Sequence, residues 1–218
     1  MQNINVEHQG DKGFVLTDFP NSEKLIKLED EKSKKLCSIS LIISDLKTSL
    51  FLMNEFIKST DEKTKNFFWR MAVIYYYRAY KGNQGGLRKL HLDINDVLDK
   101  DEDGKKIHKF FMDLRDKDIA HDDGVIMDCI AGAVVNKSDN PIKIEKIICM
   151  ITGGEINGDG DVNNLKLLVN KSLDYATSLH DDLTKEITND LELNNHEDLI
   201  KIDSPLWKKP NIDDLYKD

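Results

Sequence analysis

The sequence predicts a mainly α protein, a helical bundle with a β-hairpin inserted before its last long helix. Three observations predict it. Apolar residues recur at steps of three and four across 33–57 and 162–187, the period of a buried helical stripe. A shorter segment ending near His121 shows the same period. Two β-branched runs, Val125–Val135 and Ile142–Ile151, flank Asn136-Lys137-Ser138-Asp139-Asn140-Pro141, which reads as strand, turn and strand.

The elements follow in order. Residues 1–32 are polar and Gly-punctuated and read as an arm, extended through Pro20. The first helix carries Leu36, Ile39, Ile43, Leu46, Leu50, Met53 and Ile57 on one stripe. Thr60 or Asp61 caps the second, Glu62 to Lys81, which is rich in aromatics and ends at Gly82, Gly85 and Gly86. After a loop and a short helical turn, the third runs from about Lys105 to the His121 region. Ile107, Phe110, Phe111 and Leu114 form its apolar face, and Gly124 closes it. The hairpin occupies about 125–152. The fourth helix uses Leu165, Leu168, Val169, Leu173, Ala176, Leu179 and Leu183. The pattern gives a helical domain over 33–190 and an acidic tail over 191–218, from which Trp207 and Tyr216 can pin back to the body.

Composition narrows the functions. Of the 218 residues 39% are hydrophobic and 33% charged, and the net charge is −9. An acidic chain is poorly suited to broad nucleic-acid binding, which needs phosphate neutralisation over a large surface. A small pocket with its own positive field remains compatible with it, so any RNA function must be a pocket function. Cys37, Cys129 and Cys149 are odd in number and lack metal-ligand spacing. Their apolar neighbours suggest buried free thiols in a reducing cytoplasm. Residues 1–11 lack the cationic start and apolar run of a signal peptide. Leu36–Ile57 is interrupted by Asp45, Lys47 and Glu55 and reads as a core helix. The expectation is a cytoplasmic protein without a membrane partner.

The chemically pointed segment is Leu114-Arg115-Asp116-Lys117-Asp118-Ile119-Ala120-His121. An Arg, a polar residue directly after it, and a His six positions on, at the end of a late helix, resemble the ribonuclease motif of the HEPN superfamily. Leu before the Arg and Ile-Ala before the His resemble that family as well. The inserted hairpin departs from the minimal HEPN bundle. The resemblance implies an up-and-down helical bundle and a metal-independent endoribonuclease leaving 2′,3′-cyclic phosphate and 5′-hydroxyl ends. It also implies a homodimer with paired motifs, an RNA substrate, no cofactor, toxin–antitoxin or phage-defence biology, and an antitoxin or other regulatory protein as a further partner.

The residue types suit that chemistry. An imidazole near neutral pKa can take the 2′-hydroxyl proton or give one to the leaving 5′-oxygen, the role for His121. A guanidinium fork fits the non-bridging oxygens of a phosphorane-like transition state, the role for Arg115. Asp116 would orient either of them. Lys117 and Arg78 are the candidate phosphate contacts. Geometry adds a constraint, because at about 100° per residue six steps leave Arg115 and His121 roughly 120° apart on a straight helix. Either the helix ends before His121, where Asp122, Asp123 and Gly124 follow, or a second copy completes the site.

The non-catalytic alternative is a helical dimerisation or interaction module. A Lys, Arg or His in a last helical turn is favoured by the macrodipole alone, and Arg115 can pair with Asp118 or Asp122. His121 also falls on the side of Ile107, Phe110 and Leu114, where a core histidine is common.

Two segments mimic calcium loops. Asp99-Lys100-Asp101-Glu102-Asp103-Gly104 has Phe110 at its twelfth position, and Glu155–Gly160 meets Lys166 at the closing position, where a bidentate Glu is required. Both read as Asp- and Gly-rich turns and helix caps. Tyr75-Tyr76-Tyr77 and Tyr80 could stack bases, but consecutive aromatics point in different directions, so most belong to core or interface. No Walker loop, dinucleotide fingerprint, zinc spacing or nucleophile elbow is present.

Overall fold

The computed structural model describes residues 6–8, 14–16, 19, 22–81, 88–119, 128–137, 142–152 and 159–205. The chain divides into a unit of Lys35–Asp181 and a smaller one of Met1–Lys34 with Asp182–Asp218. Among the described residues it is mainly helical, with β1 (Val6–His8), β2 (Phe14–Leu16), α1 (Glu31–Lys58), α2 (Glu62–Tyr80), α3 (Ile94–Leu98) and α4 (Glu102–Leu114) in order. A π-helical turn (Arg115–Ile119) continues α4, and β3 (Asp128–Val135), β4 (Ile144–Thr152), α5 (Asp159–Glu192) and α6 (His196–Lys201) follow.

In the larger unit the stripes of α1, α2, α4 and α5 supply the core. Ile39, Ile42, Leu46 and Met53 of α1 are wholly buried, as are Ala72, Val73, Tyr76 and Ala79 of α2 and Leu165, Val169 and Ala176 of α5. These positions follow the three–four spacing of the sequence. The stripe of α1 ends on Phe56, with Ile57 56% exposed, so its last member is one residue earlier than the pattern suggests. By length and composition α1 is apolar enough to cross a membrane. The burial of those four side chains, with Asp45 and Ser49 buried on the same helix, is the pattern of a core helix instead.

Asp61 caps α2 as expected, its carboxylate accepting the Thr64 backbone N–H at 2.8 Å. α4 begins at Glu102 rather than near Lys105. The cause is Asp101, whose carboxylate accepts the Gly104 N–H at 2.9 Å and brings the Asp-Gly pair inside the first turn. A Cβ at Gly104 would stand 2.7 Å from Asp101 Oδ2 and 3.0 Å from Leu98 Cδ1, so close approach, not chain reversal, requires this glycine. Asp101 also pairs with Lys171 of α5 at 2.7 Å. Asp99, with φ of 40°, makes the turn between α3 and α4.

The apolar face of α4 is rotated from the expected one. Gly104, His108, Phe111, Met112 and Leu114 are buried, whereas Phe110 is exposed and Ile107 half-buried. His108 takes the central core position because hydroxyl partners await it.

β3 and β4 form the expected antiparallel hairpin, with Ile130 opposite Met150, Ala131 opposite Cys149 and Ala133 opposite Ile147. A bulge between Val134 and Val135 then sets Val135 opposite Ile144. Cys149 is exposed here and Cys37 is exposed on α1, correcting the expectation that these thiols are buried. The side chain of Cys129 lies outside the described residues.

The smaller unit also departs from its expectations. The N-terminal segment contains β1 and β2 paired antiparallel, Val6 with Leu16 and His8 with Phe14. The C-terminal stretch is not irregular throughout. Leu183, Ile187 and Leu191 keep the four-residue step, α5 continues to Glu192, and α6 follows. Lys32 holds Asp190 at 2.7 Å, and the Lys24 ammonium donates to the Ile200 and Ile202 carbonyls at 2.7 and 2.6 Å. Trp207, Tyr216 and the Gly-rich stretches near residues 85, 124 and 155 lie outside the described residues.

Candidate functional site

The π-turn is where the motif meets the structure. A π-turn is rare and recurs at functional sites because it sets one extra residue into the helix and re-aims the side chains. Here the Arg115 N–H is shared between the Met112 and Phe111 carbonyls, and the winding widens from that point. Two adjacent residues, Arg115 and Asp116, both engage the C-terminal end of α2 as a result.

The Arg115 guanidinium lies over the Tyr77 ring, 4.2 Å from its centroid, and its Nη1 donates to Asp116 Oδ1 at 3.0 Å. Lys81, one turn beyond Tyr77, donates to Asp116 Oδ2 at 3.1 Å and stands 5.5 Å from the same ring. The Tyr77 hydroxyl donates to Asp116 as well. One carboxylate thus gathers two cations and a phenol. Arg115 Nε is buried without a hydrogen-bond partner among the described residues.

The electrostatics follow from these contacts. Burial pushes the Asp116 carboxyl upward, but hydrogen bonds from Tyr77, Lys81 and Arg115 outweigh it and hold the group below the usual carboxylate range. Burial first, then the hydrogen bond to Asp116 and after it the Asp116 charge, raise the Tyr77 phenol. The hydrogen bond to Asp116 raises Lys81. The cluster therefore carries two positive charges against one negative charge, a local excess in an acidic chain.

The remaining candidates separate. Lys117 is exposed beside the cluster. Arg78 points elsewhere, its Nε 3.3 Å from Asp45 Oδ2 and its guanidinium 5.4 Å from the Tyr75 ring. Asp45, 9% exposed at its side chain, also pairs with Arg88, whose Nη1 donates to the Arg78 carbonyl at 2.6 Å. His121 lies outside the described residues, as do the side chain of Asp118 and all of Asp122. The described partner of Arg115 is Asp116.

A second polar assembly sits deeper. Tyr76 Oη and His108 Nδ1 are 2.7 Å apart, and the His108 ring packs edgewise on Tyr80 at 4.5 Å and on Tyr76 at 5.7 Å. Ser172 donates to the Leu168 carbonyl at 2.7 Å, so Tyr80, 2.6 Å from Ser172 Oγ, is the donor to that oxygen. Burial, with a smaller contribution from the Lys81 charge, pulls the His108 pKa down to about 4. Its imidazole is neutral at physiological pH and lies in the core, so it pins α4 to α2 and is no acid–base group for a bound substrate.

Sequence reasoning named Arg115 and Asp116, weighed Tyr77 only as a base-stacking aromatic, and gave Lys81 and His108 no role. A signal existed for Tyr77 and Lys81, since they lie four residues apart on one helical face. None existed for their proximity to Asp116, which is set by packing between segments 35 residues apart.

Elsewhere, Lys27, Glu29, Ile202, Asp203 and Ser204 line an open groove of about 560 Å³ in the smaller unit. Lys27 is paired with Glu29 there, leaving no free cation among its lining residues. No group of three or more His, Cys, Asp or Glu among the described residues is placed to hold a metal ion. Comparison of the chain with protein-family models, with curated proteins and with solved structures finds no match.

Proposed function

We propose that the protein is a metal-independent endoribonuclease of HEPN type, acting as a homodimer in the cytoplasm. Its setting is toxin–antitoxin or phage defence, and an antitoxin or other regulatory protein restrains it. The observation that carries this reading is the held guanidinium. Arg115 is braced by the Tyr77 ring and Asp116, and a preorganised cation stabilises developing phosphoryl charge without reorganising during the reaction. In the reaction the ribose 2′-oxygen attacks the adjacent phosphorus and the bond to the 5′-oxygen breaks. The 2′-proton leaves to one imidazole, and another supplies a proton to the 5′-oxygen. A homodimer provides both as the His121 side chains of its two copies. Arg115 binds the non-bridging oxygens, Asp116 positions Arg115, and Lys117 contacts flanking phosphate.

A second reading is a non-catalytic interaction module. It is favoured by the acidic run Asp118, Asp122, Asp123 around the motif and by the exposed apolar hairpin.

Total RNA incubated with the full chain in EDTA separates the two, with Arg115→Ala and His121→Ala in parallel. Cleavage by the unsubstituted chain alone, leaving cyclic phosphate ends, is the expected result. Equal inactivity of all three folded proteins would refute the enzyme and leave the module.

A further inference from the structure

Of the two phosphate contacts expected from the sequence, Arg78 turns to Asp45. Lys81, three residues further on at the end of α2, faces the motif instead. It converges with Arg115 on one carboxylate, and each cation takes a different oxygen. Arg115 Nη1 donates to Asp116 Oδ1 at 3.0 Å, and Lys81 Nζ to Asp116 Oδ2 at 3.1 Å. The two charges therefore stand no more than about 8 Å apart. Both also lie against the Tyr77 ring, 4.2 and 5.5 Å from its centroid.

An ordinary ion pair would use up its charges, and this one does not. One carboxylate offsets one of two cations, which leaves a positive charge in a chain of net charge −9. The donors are not exhausted either. An ammonium carries three N–H groups and a guanidinium five, and one of each is spent on Asp116. The Lys81 side chain is 55% exposed and that of Arg115 32%, so both keep a side toward solvent. Arg115 Nε, buried without an acceptor among the described residues, marks a guanidinium that is not placed for maximal pairing within its own chain.

We propose that Lys81 is a further substrate contact of the site, holding the phosphodiester next to the one at Arg115 on a single strand of RNA. Asp116 decides between one phosphate and two. Its carboxylate stands between the cations and repels an anion from the midpoint, so they do not clasp one phosphate from both sides. Each meets a different phosphate instead, and their span suits neighbouring phosphates of an unstacked strand. Tyr77 is the positioning residue, since its ring fixes both cations. A footprint this small is also what an acidic chain can offer, because a duplex surface demands neutralisation over a wide area. The inference rests on the ribonuclease reading of Arg115, but its test reads binding rather than cleavage.

The probe is a short single-stranded 2′-O-methyl RNA, which lacks the attacking hydroxyl and cannot be cut. Its binding to the full chain is read by fluorescence anisotropy across a range of salt concentrations. Each phosphate contact on a single strand contributes about 0.7 to the slope of log K against log salt. Lys81→Met keeps the aliphatic stem and removes the charge. It should lower the slope by about 0.7, or about fourfold in affinity at roughly 0.15 M salt, with helix content unchanged. Lys81→Arg should keep the slope. Lys58→Met, an equal loss of charge just before the opposite end of α2, should change neither slope nor affinity. Lys81→Met combined with Asp116→Asn removes one charge of each sign and leaves Arg115 an acceptor. The slope should stay lowered in that double variant, whereas a lysine that merely offset Asp116 would no longer be missed. Recovery of the wild-type slope there, or an unchanged slope in Lys81→Met, overturns the proposal and leaves the ribonuclease reading standing. An unsubstituted chain that does not bind the probe overturns both. The expected slopes from a chain that leaves total RNA uncut support the contact and refute catalysis.

Discussion

Lowering the pH should destabilise this protein through His108. The group is 8% exposed, and its pKa falls from 6.5 to about 4 in the folded chain. A depressed pKa means that the unfolded chain binds the proton more tightly. The neutral imidazole therefore contributes stability that is fully present above pH 6.5 and lost as pH falls toward the folded value. A tenfold difference in proton affinity between the two states is worth about 1.4 kcal/mol, so the loss reaches about 2 kcal/mol by pH 5 and about 3 kcal/mol below pH 4. Against a total stability of about 5–15 kcal/mol, that is a large fraction. The assay is urea denaturation of wild type and His108→Asn at half-unit steps from pH 7.5 to 4.5. Asn keeps a hydrogen-bonding atom near the Tyr76 hydroxyl but does not titrate. The variant is expected to start less stable and to lose about 2 kcal/mol less than wild type between pH 7.5 and 5. Parallel pH curves for the two proteins would refute the reasoning, because the loss would then come from other groups.

Two further substitutions test the polar anchors. Asp45→Ala strands Arg88, whose side chain is 12% exposed, and should cost about 3 kcal/mol by the penalty of an unpaired buried charge; Asp45→Ala combined with Arg88→Met should recover much of that loss in chemical denaturation. Asp101→Ala removes both the cap on the Gly104 N–H and the partner of Lys171 and should lower Tm by a few degrees; an unchanged thermal midpoint would show that neither contact matters.

The helices were legible because their buried residues repeat at one period over many turns. Ile39, Leu46 and Met53 in α1 and Leu165, Leu168 and Val169 in α5 lie where the spacing put them. The hairpin was legible from β-branched runs around a turn. Errors arose where one residue served two causes. Gly104 carried a turn signal, yet it lies inside α4 because Asp101 reaches its N–H. Phe110 is more apolar than His108 but is exposed, since α4 turns its histidine toward the hydroxyl of Tyr76. The tail hid α6 because its six residues, with Leu199 and Ile200 side by side, are too short to show a helical period. At the candidate site Arg115 and Asp116 were legible as a motif. Their neighbours Tyr77 and Lys81 were not, since tertiary proximity leaves no local trace in a single chain.

The widened turn at Arg115–Ile119 also changes what a residue count means there. An α-helix is a ruler, with each residue adding a fixed rise and rotation. A π-turn takes up one more residue over nearly the same axial distance. The stretch after Leu114 therefore acts as slack in the chain, absorbing a one-residue change in length while α4 before it stays in register with its neighbours. The interval from a guanidinium to a later imidazole can thus drift by a residue under selection without moving the guanidinium, which stays tethered by its contacts to α2.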